Sequence, residues 1–187
     1  MEDFDQVLAA AQAGQDWAVA VLYHAYHPPL LRYLRWQEPS AAEDLTGEVW
    51  LAVAQHLASF RGDEAELRAW LFAIARRRLA DHRRRGARRR TVPLPVEQFA
   101  ALAASVDPAD AGLAAMSVER AVARLTAGLP REQAEVVMLR VVAGLSVEET
   151  AQVLGKRPGA VRVAQHRALK RLAATLTPDD VRQVFGV

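Results

Sequence analysis

The stretch "GLSVEETAQVLGKRPGAVRVAQHRALKRL", residues 144–172, decides how the C-terminal part of this chain folds. Ser146 and Glu149 have the spacing of a capping box, which predicts the start of a short helix. Gly155 predicts the end of that helix, and a second helix is predicted from Pro158 to Leu172. Ala151 is small enough to let the two helices approach closely. Together these features indicate a helix-turn-helix.

The second helix of this motif separates apolar residues from basic ones. At 100° per residue, Val161, Ala168 and Leu172 share one face and are predicted to pack inward. The other face combines short and cationic residues, which is what entry into a DNA major groove requires. The alternative is a helical hairpin with a solvated basic face, but the cap, the small residue and the turn coincide here and favour DNA binding. The predicted DNA-reading residues are Arg157, Gly159, Ala160, Arg162, Val163, His166, Arg167 and Lys170.

A second basic segment, "IARRRLADHRRRGARRR", covers residues 74–90. The first 66 residues carry three arginines against eleven Asp and Glu residues, whereas residues 67–90 carry ten arginines against Asp81 alone. The formal net charge of +2 therefore hides an acidic region followed by a basic block. Such asymmetry is typical of a chain with a polyanionic partner at one site and a basic partner at another.

The basic block continues a periodic helix that is predicted to begin near Glu64, with Leu67, Trp70, Leu71 and Ile74 on its buried face. A solvated tail is the alternative, but the helical periodicity indicates that at least the first part is ordered. Several arginines there would neutralise phosphates, and Asp81 and His82 add groups that hydrogen-bond bases. We predict a second nucleic-acid surface that includes Arg76, Arg77, Asp81, His82, Arg84 and Arg85.

The segment before this block also reads as helix. One helix is predicted over Phe4–Ala13 and another over Asp16–His27, which Pro28 and Pro29 are expected to interrupt before a third helix begins. Ser40 and Glu43 predict a capping box for "SAAEDLTGEVWLAVAQHLASF", residues 40–60. Its predicted core face holds Leu45, Val49, Ala52, Val53, His56 and Phe60. The opposite face holds Asp44, Glu48, Leu51 and Gln55, and is either solvated surface or a contact for a basic helical protein.

The predicted fold class is all-α, with two small helical domains joined by an extended linker. The boundaries are 1–90 for the first domain, 91–115 for the linker and 116–187 for the second domain. Pro93, Pro95 and Pro108 mark the linker. The sequence has no cysteine and no apolar run of membrane-spanning length, so a cytoplasmic protein without membrane insertion is expected.

No catalytic residue, metal site or cofactor is predicted. His24 and His27 lie three residues apart on a helix, which is half of a metal site at most, and ordinary packing or solvation is the favoured interpretation. No glycine-rich phosphate loop is present in the sequence.

Three ordered motifs resemble bacterial RNA polymerase sigma factors of the extracytoplasmic-function (ECF) type in the sigma-70 family. They are "AEDLTGEVWLAVAQHLASF", "RAWLFAIARRRLADHRRR" and "LPREQAEVVMLRVVAGLSVEETAQVLGKRPGAVRVAQHRALKRL", and the resemblance covers about residues 4–174. Gly47 stands where the family often has glutamine, Arg77 where it often has asparagine, and Val163 where small polar residues are common. The promoter sequence is therefore not carried over from the family.

The resemblance implies a role for each predicted surface. The face with Asp44, Glu48, Leu51 and Gln55 would bind core RNA polymerase, and the segment from Arg76 to Arg85 would hold and open the −10 promoter element. The C-terminal helix-turn-helix would read the −35 element as duplex DNA. An anti-sigma factor is a further partner that the family implies. The alternative function is a stand-alone helix-turn-helix regulator that binds DNA without polymerase.

Overall fold

A computed structural model describes residues 3–90, 122–123 and 126–175, and within these residues the chain is helical and has no strand. The predicted all-α class is confirmed. None of the helices in this part of the chain is both long and apolar enough to cross a lipid bilayer. We number the helices α1 (Phe4–Gln12), α2 (Asp16–Gln37), α3 (Ala42–His56), α4 (Glu64–Arg90), α5 (Arg131–Val137), α6 (Val147–Leu154) and α7 (Pro158–Thr175).

The first four helices pack around an apolar core that α2 crosses from end to end. Leu22, Tyr26, Leu30 and Leu34 are all buried along one face of α2. The predicted interruption at Pro28 and Pro29 is wrong, because α2 continues through both prolines. The two prolines cannot donate to the carbonyls of residues 24 and 25, but those residues are exposed, and the buried face on either side holds the helix together.

The start and end of α3 also differ from the prediction. Ser40 lies in a 3₁₀ turn, Pro39–Ala41, and makes no side-chain cap, while Glu43 pairs instead with Arg35, with 2.5 Å between the charged atoms. The predicted core face is correct for Leu45, Val49, Ala52 and Val53, which are buried. His56 is exposed at the last position of α3, and Phe60 is half-buried because a second 3₁₀ turn, Leu57–Ser59, ends the helical periodicity before it.

Helix α4 is the longest helix, and it carries the whole basic block within its range. Its first half is anchored by Leu67, Leu71, Phe72 and Ala75, all of them buried. Trp70 and Ile74, which were predicted for this face, are half-buried at its edge. The start near Glu64 and the continuation into the arginines are confirmed, so the arginines from Arg76 to Arg85 project from one continuous helix.

The C-terminal helices form the predicted helix-turn-helix. Ser146 accepts a hydrogen bond from the backbone of Glu149, and the Glu149 side chain accepts one from the backbone of Ser146, so this capping box is confirmed. Gly155 ends α6 in the left-handed conformation, with φ of 64°, which glycine adopts without strain. Helix α7 packs on α5 and α6 through Val161, Ala168 and Leu172, all buried as predicted.

The two groups of helices touch each other. Helix α6 packs against α4, and the π-helical turn Met138–Val142 that follows α5 packs against α2. Buried residues of both groups belong to one continuous apolar cluster, which includes Tyr33 and Phe72 from the first group and Leu139 from the second. The predicted linker, residues 91–115, lies outside the described residues, as do its three prolines. The predicted domain boundaries therefore stay predictions.

Candidate nucleic-acid and partner-binding surfaces

The predicted DNA-reading face of α7 is open to solvent. The eight predicted residues, which are Arg157, Gly159, Ala160, Arg162, Val163, His166, Arg167 and Lys170, are all exposed. Within the described part of the chain, the side chains of Arg157, His166, Arg167 and Lys170 form no hydrogen bond or ion pair, so their donors are available to a ligand. Arg162 differs, because its Nη2 lies 2.7 Å from Glu148 Oε1 on α6.

A shallow groove runs beside this face, between the start of α5 and the first turns of α7. It is lined by Glu132 and Gln133 on one side and by Gly159, Ala160 and Val163 on the other. Lys156 pairs with the Glu132 carboxylate and, by hydrogen bonding to it, holds the pKa of that carboxyl below its usual range. The acidic group beside the face is therefore neutralised by a neighbouring cation rather than left facing an incoming phosphate.

Arg140 holds the helix-turn-helix to the helix before it, a role that was not predicted from the sequence. Its Nη1 donates to the backbone carbonyl of Leu145, at the entry to α6, and its Nε donates to Gln165 Oε1 on α7 at 3.2 Å. One side chain thus fixes the position of both helices of the motif. An arginine in an apolar segment, "VVMLRVV", is the only signal that the sequence offers for it.

The basic half of α4 is only partly exposed, with Arg77, Arg84 and Arg85 exposed and Arg76, Asp81 and His82 half-buried, and its charges are largely paired. Four arginines lie near three carboxylates within the described residues: Arg76 Nε is 3.3 Å from Glu135, Arg78 Nη1 4.0 Å from Glu48, Arg83 Nε 3.5 Å from Glu38, and Arg85 Nη2 3.4 Å from Glu48. Arg84 pairs with Asp81 one turn away, and this contact lowers the pKa of the Asp81 carboxyl. Arg77 and His82 form no such contact with any described residue.

Glu135, on α5, is the central residue of the contact between the two groups of helices. Its Oε1 accepts hydrogen bonds from Tyr33 Oη at 2.9 Å, Gln37 Nε2 at 3.2 Å and Arg76 Nε at 3.3 Å. Burial and the Glu135 carboxylate raise the pKa of Tyr33, so its hydroxyl stays a donor. Arg131 Nη2 also donates to Gln37 Oε1 at 2.9 Å. Periodicity could not find this network, because its partners lie 59 to 102 residues apart along the chain.

The outer face of α3 is confirmed as exposed for three of its four predicted residues. Asp44 and Gln55 are exposed, and Leu51 is 61% exposed, which is high for a leucine. Glu48 is only half-exposed, because its carboxylate points to Arg78 and Arg85 of α4. The ion pair between Glu48 and Arg85 therefore links the predicted partner face to the predicted −10 surface.

The two histidines of α2 support the packing interpretation. The His27 ring stacks on Tyr23 with centroids 4.5 Å apart, and the His24 ring meets Tyr23 edge-on at 5.9 Å. Burial lowers the pKa of His27, so the ring is held in its neutral form. No group of three or more metal-ligating side chains is present among the described residues.

A helix-turn-helix with a free basic face, a second basic helix and an acidic helix face define this chain as a DNA-binding protein of the transcription machinery class. Residues 22–89 match the family Sigma-70 region 2, and residues 119–172 match the family Sigma-70, region 4. The chain belongs to the sigma-70 family of sigma factors, in its ECF group. The resemblance stated from the motifs is confirmed.

Curated relatives carry the same description. The chain is 39% identical over 180 residues to the ECF RNA polymerase sigma factor SigD of Mycobacterium tuberculosis, with 91% of this chain and 82% of that relative covered. It is 36% identical over 179 residues to the ECF RNA polymerase sigma factor BldN of Streptomyces coelicolor, covering 95% of this chain and 67% of that relative.

Solved structures share the fold. The sigma factor RpoE of Bartonella quintana, in complex with the anti-sigma factor NepR, aligns with a TM-score of 0.58 at 23% identity, covering 83% of this chain and 94% of that chain. The structure of CnrH in complex with the cytosolic domain of CnrY also aligns with a TM-score of 0.58 at 23% identity, covering 90% and 94%.

Proposed function

We propose that this sigma factor binds core RNA polymerase with the outer face of α3, holds and opens the −10 element with the basic half of α4, and reads the −35 element with α7. In this proposal the chain supplies recognition and the polymerase supplies all of the catalysis. The cytoplasm, where polymerase and chromosome meet, is the proposed location. The assignment to core polymerase and promoter DNA agrees with the description of the relatives as RNA polymerase sigma factors.

The observation that carries the proposal is the state of the α7 face. The side chains of Arg157, His166, Arg167 and Lys170 are exposed and unpaired among the described residues, and the short residues Gly159 and Ala160 lie between Arg157 and the other three. Short residues at the start of the helix permit close approach to base edges, and the cations beyond them meet phosphates or guanine edges. Duplex recognition needs this combination on one face.

The basic half of α4 supports the −10 assignment. The Arg77 and His82 side chains have no described partner, Arg76 pairs with the mostly buried Glu135, and Arg84 and Arg85 are held only by partly exposed carboxylates. Exposed ion pairs are worth about 0–1 kcal/mol each, so the phosphates of a DNA strand can exchange with them. A cationic helix of this kind tracks a single strand, which suits a melted element.

The α3 face supports the polymerase assignment because it offers carboxylates around an exposed apolar residue. Leu51 lies at its centre with Asp44, Glu48 and Gln55 around it. A basic helical partner would bury the leucine and pair with the acidic groups. An anti-sigma factor is proposed as a competitor for the same face, since the sigma factor of Bartonella quintana was solved with one.

The proposal is tested by co-elution with core RNA polymerase that lacks any sigma factor. The wild-type chain is expected to join core in size-exclusion chromatography, and Asp44→Ala with Glu48→Ala is expected to lower its affinity at least about tenfold, because two charges at a desolvated contact are lost. Glu43→Ala is the matched control, since this α3 carboxylate pairs with Arg35 outside the proposed face.

Two outcomes would contradict the proposal. If Glu43→Ala weakens the complex as much as the double variant, then α3 does not bind through its outer face. If the wild-type chain fails to join core at low salt but binds duplex DNA tightly alone, the stand-alone regulator is the correct function.

A further inference from the structure

The residues along the middle of the exposed face of α7 form a centre line, and the first residues of this line are not cationic. At 3.6 residues per turn, Gly159, Val163, His166 and Lys170 fall within about 60° of one another. Val161, Ala168 and Leu172, the buried residues of the helix, lie opposite them. The middle of the DNA-facing surface therefore presents, along the helix, no side chain, an isopropyl group, an imidazole and an ammonium group.

Val163 is the first side chain on this centre line that can reach a base. It is 49% exposed although it is apolar, and the position one turn earlier is Gly159, where an added Cβ would meet nothing within 4 Å. Ala160, also exposed, adds only a methyl group on the same side. With these short residues around it, the valine becomes the tip of the helix surface at its N-terminal end, the end that contacts base edges in helix-turn-helix proteins.

An isopropyl group discriminates among base pairs in the major groove. Pressed against an amino or carbonyl edge, it removes water from a polar atom and returns no hydrogen bond, which is unfavourable. Thymine is the one standard base with an apolar group in that groove, the C5 methyl, and apolar side chains contact it. The neighbouring cations lie on the flanks of the face rather than on this line, since Arg162 and Arg167 are each about 70° from its middle at 100° per residue.

We infer that Val163 selects a thymine by contact with its C5 methyl group, so that the −35 element of this sigma factor carries a T·A pair under the N-terminal turns of α7. This inference rests on the proposed function, because it requires that α7 enters the major groove of duplex DNA. It adds a base identity, which neither the resemblance to the family nor the basic face provides.

The experiment begins with a duplex selected from a random library by the full chain assembled with core polymerase. Each thymine of the selected −35 element is then replaced singly by uracil, which removes only the C5 methyl. For the wild-type chain, one replacement is expected to weaken binding about fourfold, the effect of losing one buried methyl contact. For Val163→Ala, the same replacement is expected to change binding by less than about 1.5-fold, since little of the contact remains.

Leu169→Ala is the matched control. Leu169 is 51% exposed on the same helix, but it lies about 90° away from the centre line, so this variant is expected to keep the full uracil effect. Val163→Ala removes an exposed side chain and is expected to fold, which circular dichroism checks.

The outcomes separate this inference from the proposed function. A selected element in which no uracil replacement depends on Val163 would overturn the thymine contact and leave −35 reading by α7 intact. A library that yields no −35 sequence at all in the presence of core would overturn the proposed function, and the inference with it.

Discussion

The basic half of α4 and the exposed face of α7 have similar charge but differ in how that charge is held. On α4, five arginines face carboxylates, three of which come from other helices or turns: Glu38, Glu48 and Glu135. On α7, Arg162 is the only residue that pairs with the carboxylate of a described residue, Glu148 of α6. The same residue type is therefore presented ready for DNA in one place and bound within the protein in the other.

The difference follows from where each helix lies. Helix α4 runs between α3 and the C-terminal helices, so acidic groups of both reach its arginines. Helix α7 packs on α5 and α6 with one face and has no described element over the other. We expect the free protein to bind duplex DNA through α7, and α4 to contribute once its carboxylate partners are displaced.

The largest effect is expected when the unpaired cations of α7 are removed and the affinity for DNA is measured. Changing Arg167 and Lys170 to alanine removes two unpaired cations, so the affinity of the free chain for a −35 duplex is expected to fall about 100-fold. The salt dependence of binding should fall by about two in slope. Fluorescence anisotropy across a range of salt concentrations measures both quantities.

The matched change on α4 is Arg84→Ala with Arg85→Ala. Because both arginines are paired in the free protein, duplex affinity is expected to fall less than about threefold. Equal losses for the two double variants would show that pairing does not set availability, and the comparison would fail.

The next effect concerns the contact that ties Arg76 to the C-terminal helices. Glu135→Ala leaves the buried Tyr33 hydroxyl without its acceptor and the Gln37 amide with only Tyr33 Oη to donate to, so the free energy of unfolding is expected to fall by about 2 kcal/mol. Urea denaturation followed by circular dichroism measures this loss. Glu132→Ala, on the same helix, removes only an exposed partner of Lys156 and should leave the urea midpoint unchanged.

The Glu135 contact also holds the two groups of helices closer together than simultaneous binding to the −10 and −35 elements would allow. Elements at −10 and −35 lie 25 base pairs apart by name, about 85 Å along a duplex, whereas the helices proposed to bind them are in contact here. We therefore expect Glu135→Ala to enlarge the radius of gyration of the free chain in small-angle X-ray scattering. An unchanged radius together with unchanged stability would mean that Glu135 does not hold the two groups together.

A smaller loss of unfolding free energy is expected from the capping box of α6, which helps to fix the helix-turn-helix that presents α7. Ser146→Ala removes the side-chain acceptor of the capping box and is expected to cost about 1 kcal/mol of unfolding free energy. Ser40→Ala is the control, since Ser40 makes no cap in the structure. Similar losses for the two variants in thermal unfolding would contradict the difference between these two starts of a helix.

The smallest effect is expected when arginines of α4 are released from their carboxylate partner. Glu48→Gln keeps the shape of the side chain but releases Arg78 and Arg85, so the affinity of the free chain for single-stranded DNA is expected to rise about threefold. Asp44→Asn, on the same face but without an ion pair to a described residue, should leave this affinity unchanged. A rise in both variants would indicate a general charge effect rather than release of the two arginines.

Much of the fold was predictable because it depends on local pattern. The faces of α3 and α7, the capping box at Ser146 and the continuation of α4 into the arginines follow from helical periodicity and capping chemistry. The errors arose where a local signal was overridden. Pro28 and Pro29 did not end α2, because buried residues on both sides of them stabilise one continuous helix. The capping box predicted at Ser40 did not form, because Glu43 pairs with Arg35 instead.

The sequence by itself determined which residues are basic, which helix faces point outward and where the helix-turn-helix lies, since these depend on neighbours three or four residues away. Only the tertiary structure decided which charges are free. Glu48 meets Arg85 across 37 residues and Glu135 meets Tyr33 across 102, and no periodicity encodes such pairs. Coulomb attraction acts on distance in space rather than along the chain, so the availability of each arginine for DNA is a property of the packed molecule.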